Sequence, residues 1–244
     1  MQASKWKLDK PPLIKQLLSA FDHLKPVKDR KPKFIFHVGI LKAILPLIYS
    51  DNGGTVSTHD DICLLAACSI AIHALLRGGE FLFVPRKREP LPRLLGRHIV
   101  LRPEHDRMDI AIVKDKVKFW REARTLFVYD TPNDCAPIKL WRTYLQSAEK
   151  NSIRLMRDGP AFVMANGKPL SQKVAFCRLR QLLIQRGVLS DDTHQLFMAS
   201  FRAGGAVSLR RAGVPDNVIK RIGRRKRCME ALCTGRPLPG RKVC

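Results

Sequence analysis

Acidic side chains are scarce in this sequence: 21 Asp and Glu stand against 45 Lys and Arg, a formal net charge of +24 at pH 7. So one-sided a surface draws polyanions and speeds their arrival, which puts nucleic acid first among the expected partners. Long apolar runs are missing too. The longest is interrupted well short of the roughly 18 to 20 residues that a membrane span needs. No stretch has the basic-and-aromatic amphipathic pattern of a helix lying on anionic lipid, so no membrane partner is expected. Nor is there a cysteine framework. The seven cysteines are an odd number, and Cys63 and Cys68 sit inside the apolar run CLLAACSIAIHALL, where cysteine serves as a small buried hydrophobe. Cys228 and Cys233 have no second pair and no neighbouring His, so neither zinc nor any other cofactor is expected. This usage, with no secretory leader pattern, gives the expectation of a reducing, intracellular setting, nuclear in a eukaryotic host. Tyrosine is rare: Tyr49, Tyr129 and Tyr144 are the three, and none follows. Internal repeats and low-complexity tracts are absent.

What remains is a chain of 244 residues, 45% hydrophobic, large enough to bury a real core. Residues 1–32 are basic and punctuated by proline, with one short helical pattern at LIKQLLSAFDHL; they read as a linker or the remnant of an N-terminal DNA-binding domain. FIFHVGILKAILPLIYS has helix-spaced apolar residues and stops at the turn cluster DNGG. THDDICLLAACSIAIHALL opens with Thr58 and two acids, good N-terminal capping chemistry, and is apolar on most sides, so it predicts a central buried helix. HIVLRP, RMDIAIVKD and ARTLFVYD alternate like short strands. CAPIKLWRTYLQSAEK returns to helix, with Tyr144 as a packing residue. An Asn-Gly turn and further helices follow. The fold class is α+β, mainly α-helical with a small antiparallel sheet. Charge gathers at the end: from Arg202 onward 12 Lys and Arg face only Asp216 and Glu230, a net of +10, as suits a face laid along phosphates.

Three separated features carry chemistry. LLRGGE places Arg77 at the end of the buried helix with Glu80 three residues on. IVKDKVKFW puts Lys114 and Lys116 on a turn between strands. SFRAGGA brings Arg202 into a helix, followed by AGVPDNVIKRIGR. In this order and spacing the chain resembles the tyrosine recombinases, the phage-integrase-like DNA strand-exchange enzymes. Its nearest look is to the recombinase-like domains of eukaryotic mobile elements. The resemblance covers residues 33–227 as a catalytic domain, with 228–244 an irregular tail. It implies that Arg77 and Arg202 grip the scissile phosphate, planar forks against a group that gains charge in the transition state. It further implies that Lys114, or else Lys116, donates a proton to the leaving oxygen, that Glu80 braces the site, and that Arg225 stands at the position of a phosphate-binding Trp or His. Duplex DNA would be held by Arg77, Lys114, Lys116, Arg202, Arg210, Arg211, Lys220 and Arg224, with copies of the protein assembling on the DNA.

Simpler readings stand beside these. Arg77 would equally cap the C-terminal end of its helix through the dipole. Lys114 is one of three lysines within five residues. Gly204 and Gly205 permit either close helix packing or close approach to DNA. The pattern also breaks at two places. Ala199 occupies the position of the motif His, with His194 five residues earlier. The nucleophilic Tyr is missing, since Cys233 and Thr234 stand where it belongs. Without it no phosphotyrosine intermediate forms there. Two explanations of the tail stay open. One is substitution by substitution. The other is a shifted reading frame, because the codons of Met229 and Glu230 read one base later force TGG, a Trp. The expected function is that of a DNA-binding recombinase or integrase-like protein, catalytically impaired; the alternative is a non-catalytic DNA- or RNA-binding scaffold.

Overall fold

One helix, apolar on every side, organises the molecule. In the computed structural model, which describes residues 34–49, 58–84, 94–112, 124–189 and 199–223, α1 is Val38–Tyr49 and the central α2 is His59–His73. Thr58 caps α2 by accepting the Asp61 N–H at 3.2 Å, and Asp60 and Asp61 occupy the positive end of its dipole. Every residue from Asp61 to Ile72 is buried. A helix with no polar face is stable only when surrounded, and α4 (Pro137–Lys150), α1 and α6 (Ser200–Arg211) supply the cover. Cys63 and Cys68 are fully buried within it, and burial pushes both thiols up, away from reactivity.

The remaining described elements are a single turn α3 (Gly78–Phe81), strands β1 (Ile99–Arg102), β2 (Arg107–Ile112) and β3 (Arg124–Tyr129), α5 (Gln172–Gln185), α7 (Asp216–Ile222) and two 3-10 turns, Gly96–His98 and Pro103–His105. The strands form an antiparallel sheet in the order β1-β2-β3, with Ile110 opposite Ile99 and Leu126. Met108, Ile110, Ile112 and Val128 point into the core, so the period-two alternation of the sequence maps onto one buried face. The Asn166-Gly167 turn sits where the sequence placed it, with Gly167 at φ +74°.

Polar links fix the helices. The His59 ring bridges Ser147 Oγ at 3.0 Å and the Val163 carbonyl at 2.9 Å, so Nε2 is the donor and Nδ1 accepts the hydroxyl proton. Asp61 takes a bidentate grip from Arg178 at 2.7 and 2.8 Å, tying α2 to α5. Tyr144 is fully buried; its hydroxyl donates to the Ala161 carbonyl and accepts the Val163 N–H. It is a core residue, as its sequence context predicts, and burial holds its phenol well above the usual range. The basic segment 1–32 and the tail 228–244 lie outside the described residues.

Candidate functional site

Two helix ends meet next to a chain of aromatic rings. Phe81 and Phe201 stack edge to face, with centroids 5.1 Å apart, and Phe81 continues to Phe162, which meets Trp141 at 5.7 Å. Glu80 precedes Phe81 and Arg202 follows Phe201. Packing of two apolar neighbours therefore sets the spacing of two charged ones.

The helix α2 ends in a Schellman motif: the Leu76 N–H reaches the Ala71 carbonyl at 2.8 Å and the Leu75 N–H that of Ile72 at 3.3 Å. The left-handed residue of this motif, usually glycine, is here Leu75 at φ +49°. Its carbonyl accepts Arg202 Nε at 2.9 Å. Arg202 Nη2 lies 3.6 Å from Glu80 Oε2, and both side chains are nearly inaccessible, 7% and 4% exposed. Arg77 approaches Glu80 from the other side, Nη1 to Oε1 at 3.3 Å, while its backbone N–H donates to Oε2 at 2.7 Å. Its side chain keeps 27% of its surface open. Two guanidinium groups, 125 positions apart in the sequence, thus share one carboxylate. That arrangement suits a phosphate oxygen far better than a cation.

Arg77 is not the last residue of the buried helix, as its sequence context suggested. The helix stops at His73, and Arg77 is the N-cap of the α3 turn. Arg202 takes a carbonyl at that helix end. Gly204 and Gly205 serve packing: a Cβ on Gly204 would run into the Phe36 carbonyl and one on Gly205 into that of Ile72. Ala199 is the exposed N-cap of α6, three residues before Arg202, and offers only a methyl. Arg210, expected along the DNA, makes a bidentate pair with Asp216, Nε to Oδ1 at 3.0 Å, which joins α6 to α7. The same pair lowers the pKa of the Asp216 carboxyl below its ordinary value. Arg211 beside it is exposed and Lys220 half-buried. Lys114, Lys116, His194, Arg224, Arg225 and Cys233 lie outside the described residues. The reach of Arg202 to the carbonyl of Leu75 had no signal in the sequence, because the two are 127 positions apart.

No family profile and no curated protein matches the chain in sequence. Solved structures do match in fold. XerH site-specific recombinase, in a post-cleavage complex with its palindromic difH substrate, aligns at TM-score 0.52 and 12% identity over 82% of this chain and 48% of XerH. Lambda integrase residues 75–356, a dimer bound to a COC′ core site, aligns at 0.53 and 11% over 95% of this chain and 73% of the integrase. The Tn1549 transposon integrase, in complex with circular intermediate DNA, aligns at 0.50 and 14% over 85% and 62%. The chain therefore has the tyrosine-recombinase catalytic-domain fold, mainly helical with a small antiparallel sheet. It spans about half the length of XerH.

Proposed function

We propose that this chain binds duplex DNA by holding a backbone phosphate at Arg77 and Arg202, and that it does so without cleaving the strand. The observation that carries the reading is the convergence of both guanidinium groups on Glu80. The carboxylate keeps the two forks in position before any phosphate arrives, so little ordering entropy is left to spend on binding. Arg77, the more open of the two, makes the first contact. The net charge of +24 supplies long-range attraction. A fold shared with recombinases held on their DNA sites supports the same partner, and assembly of copies on the DNA belongs to this proposal. Cleavage fails for want of chemistry. The Ala199 side chain cannot donate to phosphate or handle a proton, and Cys233 and Thr234 stand where the resemblance places the nucleophilic Tyr.

Salt titration of duplex binding tests the first half. The affinity should fall steeply, with about 0.9 in the log–log slope for each phosphate neutralised. Arg77→Ala should weaken binding roughly tenfold or more, as expected for a charged hydrogen bond, while Lys150→Ala, at the exposed end of α4, should change it little. A slope near zero would end the reading. The second half is tested with a nicked suicide duplex, on which the chain should form no covalent adduct at any enzyme excess.

A further inference from the structure

Among the described residues other than glycine, three adopt the left-handed backbone: Leu75, Asp106 and Ser152. Asp106 and Ser152 are exposed polar residues at turns. Leu75 is apolar and fully buried. A bulky residue persists in that region only where its surroundings over-determine it, and such residues cluster at functional sites. The group that Leu75 directs is its carbonyl. Were α2 to continue, that oxygen would point along the helix axis. The left-handed turn swings it instead to Arg202, whose Nε donates to it at 2.9 Å. With Nη2 3.6 Å from Glu80 Oε2, the planar guanidinium is held at two points and cannot turn. The same residue sets the other half of the site. The chain leaves α2 at Leu75, and two residues on the Arg77 N–H meets Glu80 Oε2 at 2.7 Å. One backbone conformation therefore fixes both the aim of Arg202 and the start of the turn that carries Arg77 and Glu80.

A small core, separate from the main one, holds Leu75 there. Its side chain packs with Ala206 of α6 and Ile219 of α7, both buried, and Leu209, Val214 and Ile222 close around them. Gly205 makes the room: a Cβ at that position would collide with the Ile72 carbonyl and with the Leu75 side chain. The bidentate pair of Arg210 with Asp216 ties α7 to α6 beside this core.

We propose that Leu75 is a positioning residue of the phosphate site: packing of its side chain under α6 and α7 locks the left-handed backbone, and that backbone aims Arg202. Leu75 itself touches no phosphate. The proposal rests on the reading of Arg77 and Arg202 as a phosphate clamp, and adds that the fit of α7 onto Leu75 sets how well the clamp binds.

Duplex affinity per folded molecule is the test, with the folded fraction of each full-chain variant taken from circular dichroism at the temperature of the titration. Leu75→Ala loses the anchor and keeps the strain. It should weaken binding about tenfold, the loss expected of one charged hydrogen bond. Ile219→Ala leaves Leu75 in place but removes what it packs on; it should weaken binding too, and it decides the matter if Leu75→Ala does not fold. Leu75→Met, close to leucine in volume, should bind within about twofold of the unaltered chain. Leu183→Ala empties an equally buried place in the main core on α5, and should lose stability without losing affinity. Unchanged binding by the anchor variants overturns the proposal. So does an equal loss in Leu183→Ala, which would mean that any loosened core weakens the clamp. Arg77→Ala separates this outcome from the underlying reading. If it binds like the unaltered chain, the phosphate clamp is wrong and the proposal falls with it. If it loses affinity while Leu75→Ala and Ile219→Ala do not, only the role of Leu75 is lost.

Discussion

Arg77 and Arg202 share a carboxylate but differ in what they do for stability. Removing Arg202 takes from Glu80, which is 3% exposed, the more buried of its two guanidinium partners and removes the bond to the Leu75 carbonyl, and breaking a buried ion pair costs about 3–5 kcal/mol. Arg77 is a quarter open to water, so its ion pair contributes at most about 1 kcal/mol. Chemical denaturation should therefore show Arg202→Ala losing several kcal/mol and Arg77→Ala almost nothing, with equal losses counting against the assigned geometry. Arg77 is then the sound probe of phosphate binding, since a loss of affinity in Arg202→Ala would mix binding with unfolding. Arg202→Lys should not rescue, because one ammonium cannot reach both the Leu75 carbonyl and Glu80 in the fork geometry of a guanidinium.

At the level of elements, the end of α2 carries a conflict between backbone and side chain. Leu75 sits in the left-handed region at a cost of about 1–2 kcal/mol. Its side chain is fully buried with Ala206 and Ile219 under the α6–α7 turn. Truncating such a leucine costs about 2–5 kcal/mol, so packing wins over strain. The usual ranking of alanine over glycine should invert here. Both Leu75→Ala and Leu75→Gly are destabilised, but the glycine variant, freed of the backbone cost, should be the more stable by about 1 kcal/mol. Urea midpoints decide it. An alanine variant that is as stable as glycine or better would show that the left-handed residue carries no strain.

At the scale of the whole molecule, two of the described histidines should make stability depend on pH just below neutral. Burial lowers the pKa of His73 from its usual 6.5, opposed in part by its bond to the Ser69 carbonyl, and burial with the Arg211 charge lowers that of His37. A lowered folded pKa means that the unfolded chain binds protons first. Stability is then full above pH 6.5 and falls as pH drops below it, by at most about 1.4 kcal/mol per pH unit for each group. Melting temperatures taken from pH 7.5 downward should decline below 6.5, and His73→Gln, which can still donate to the Ser69 carbonyl, should flatten part of that decline. An unchanged slope in the variant would remove His73 from the account.

Much of the fold was legible in the residues. The Thr58 cap, the all-round apolar α2, the alternating strands, the Asn-Gly turn and the packing role of Tyr144 are local or periodic signals, and a period of 3.6 or 2 settles which face must be buried. The order of Arg77, Glu80 and Arg202 pointed to one site. The sequence could not say that Arg202 takes the Leu75 carbonyl, that Gly204 and Gly205 serve packing, or that Arg210 is spent on Asp216. Nor could it say that Phe127 and Tyr129 stand exposed on the outer face of the sheet. Each of these depends on distances between residues that share no helical or strand period. Composition and periodicity determined the elements and the polyanion-seeking charge. Only the tertiary structure decided which charges neutralise one another and which stay open for a partner, because that choice is made through space, after the core has closed.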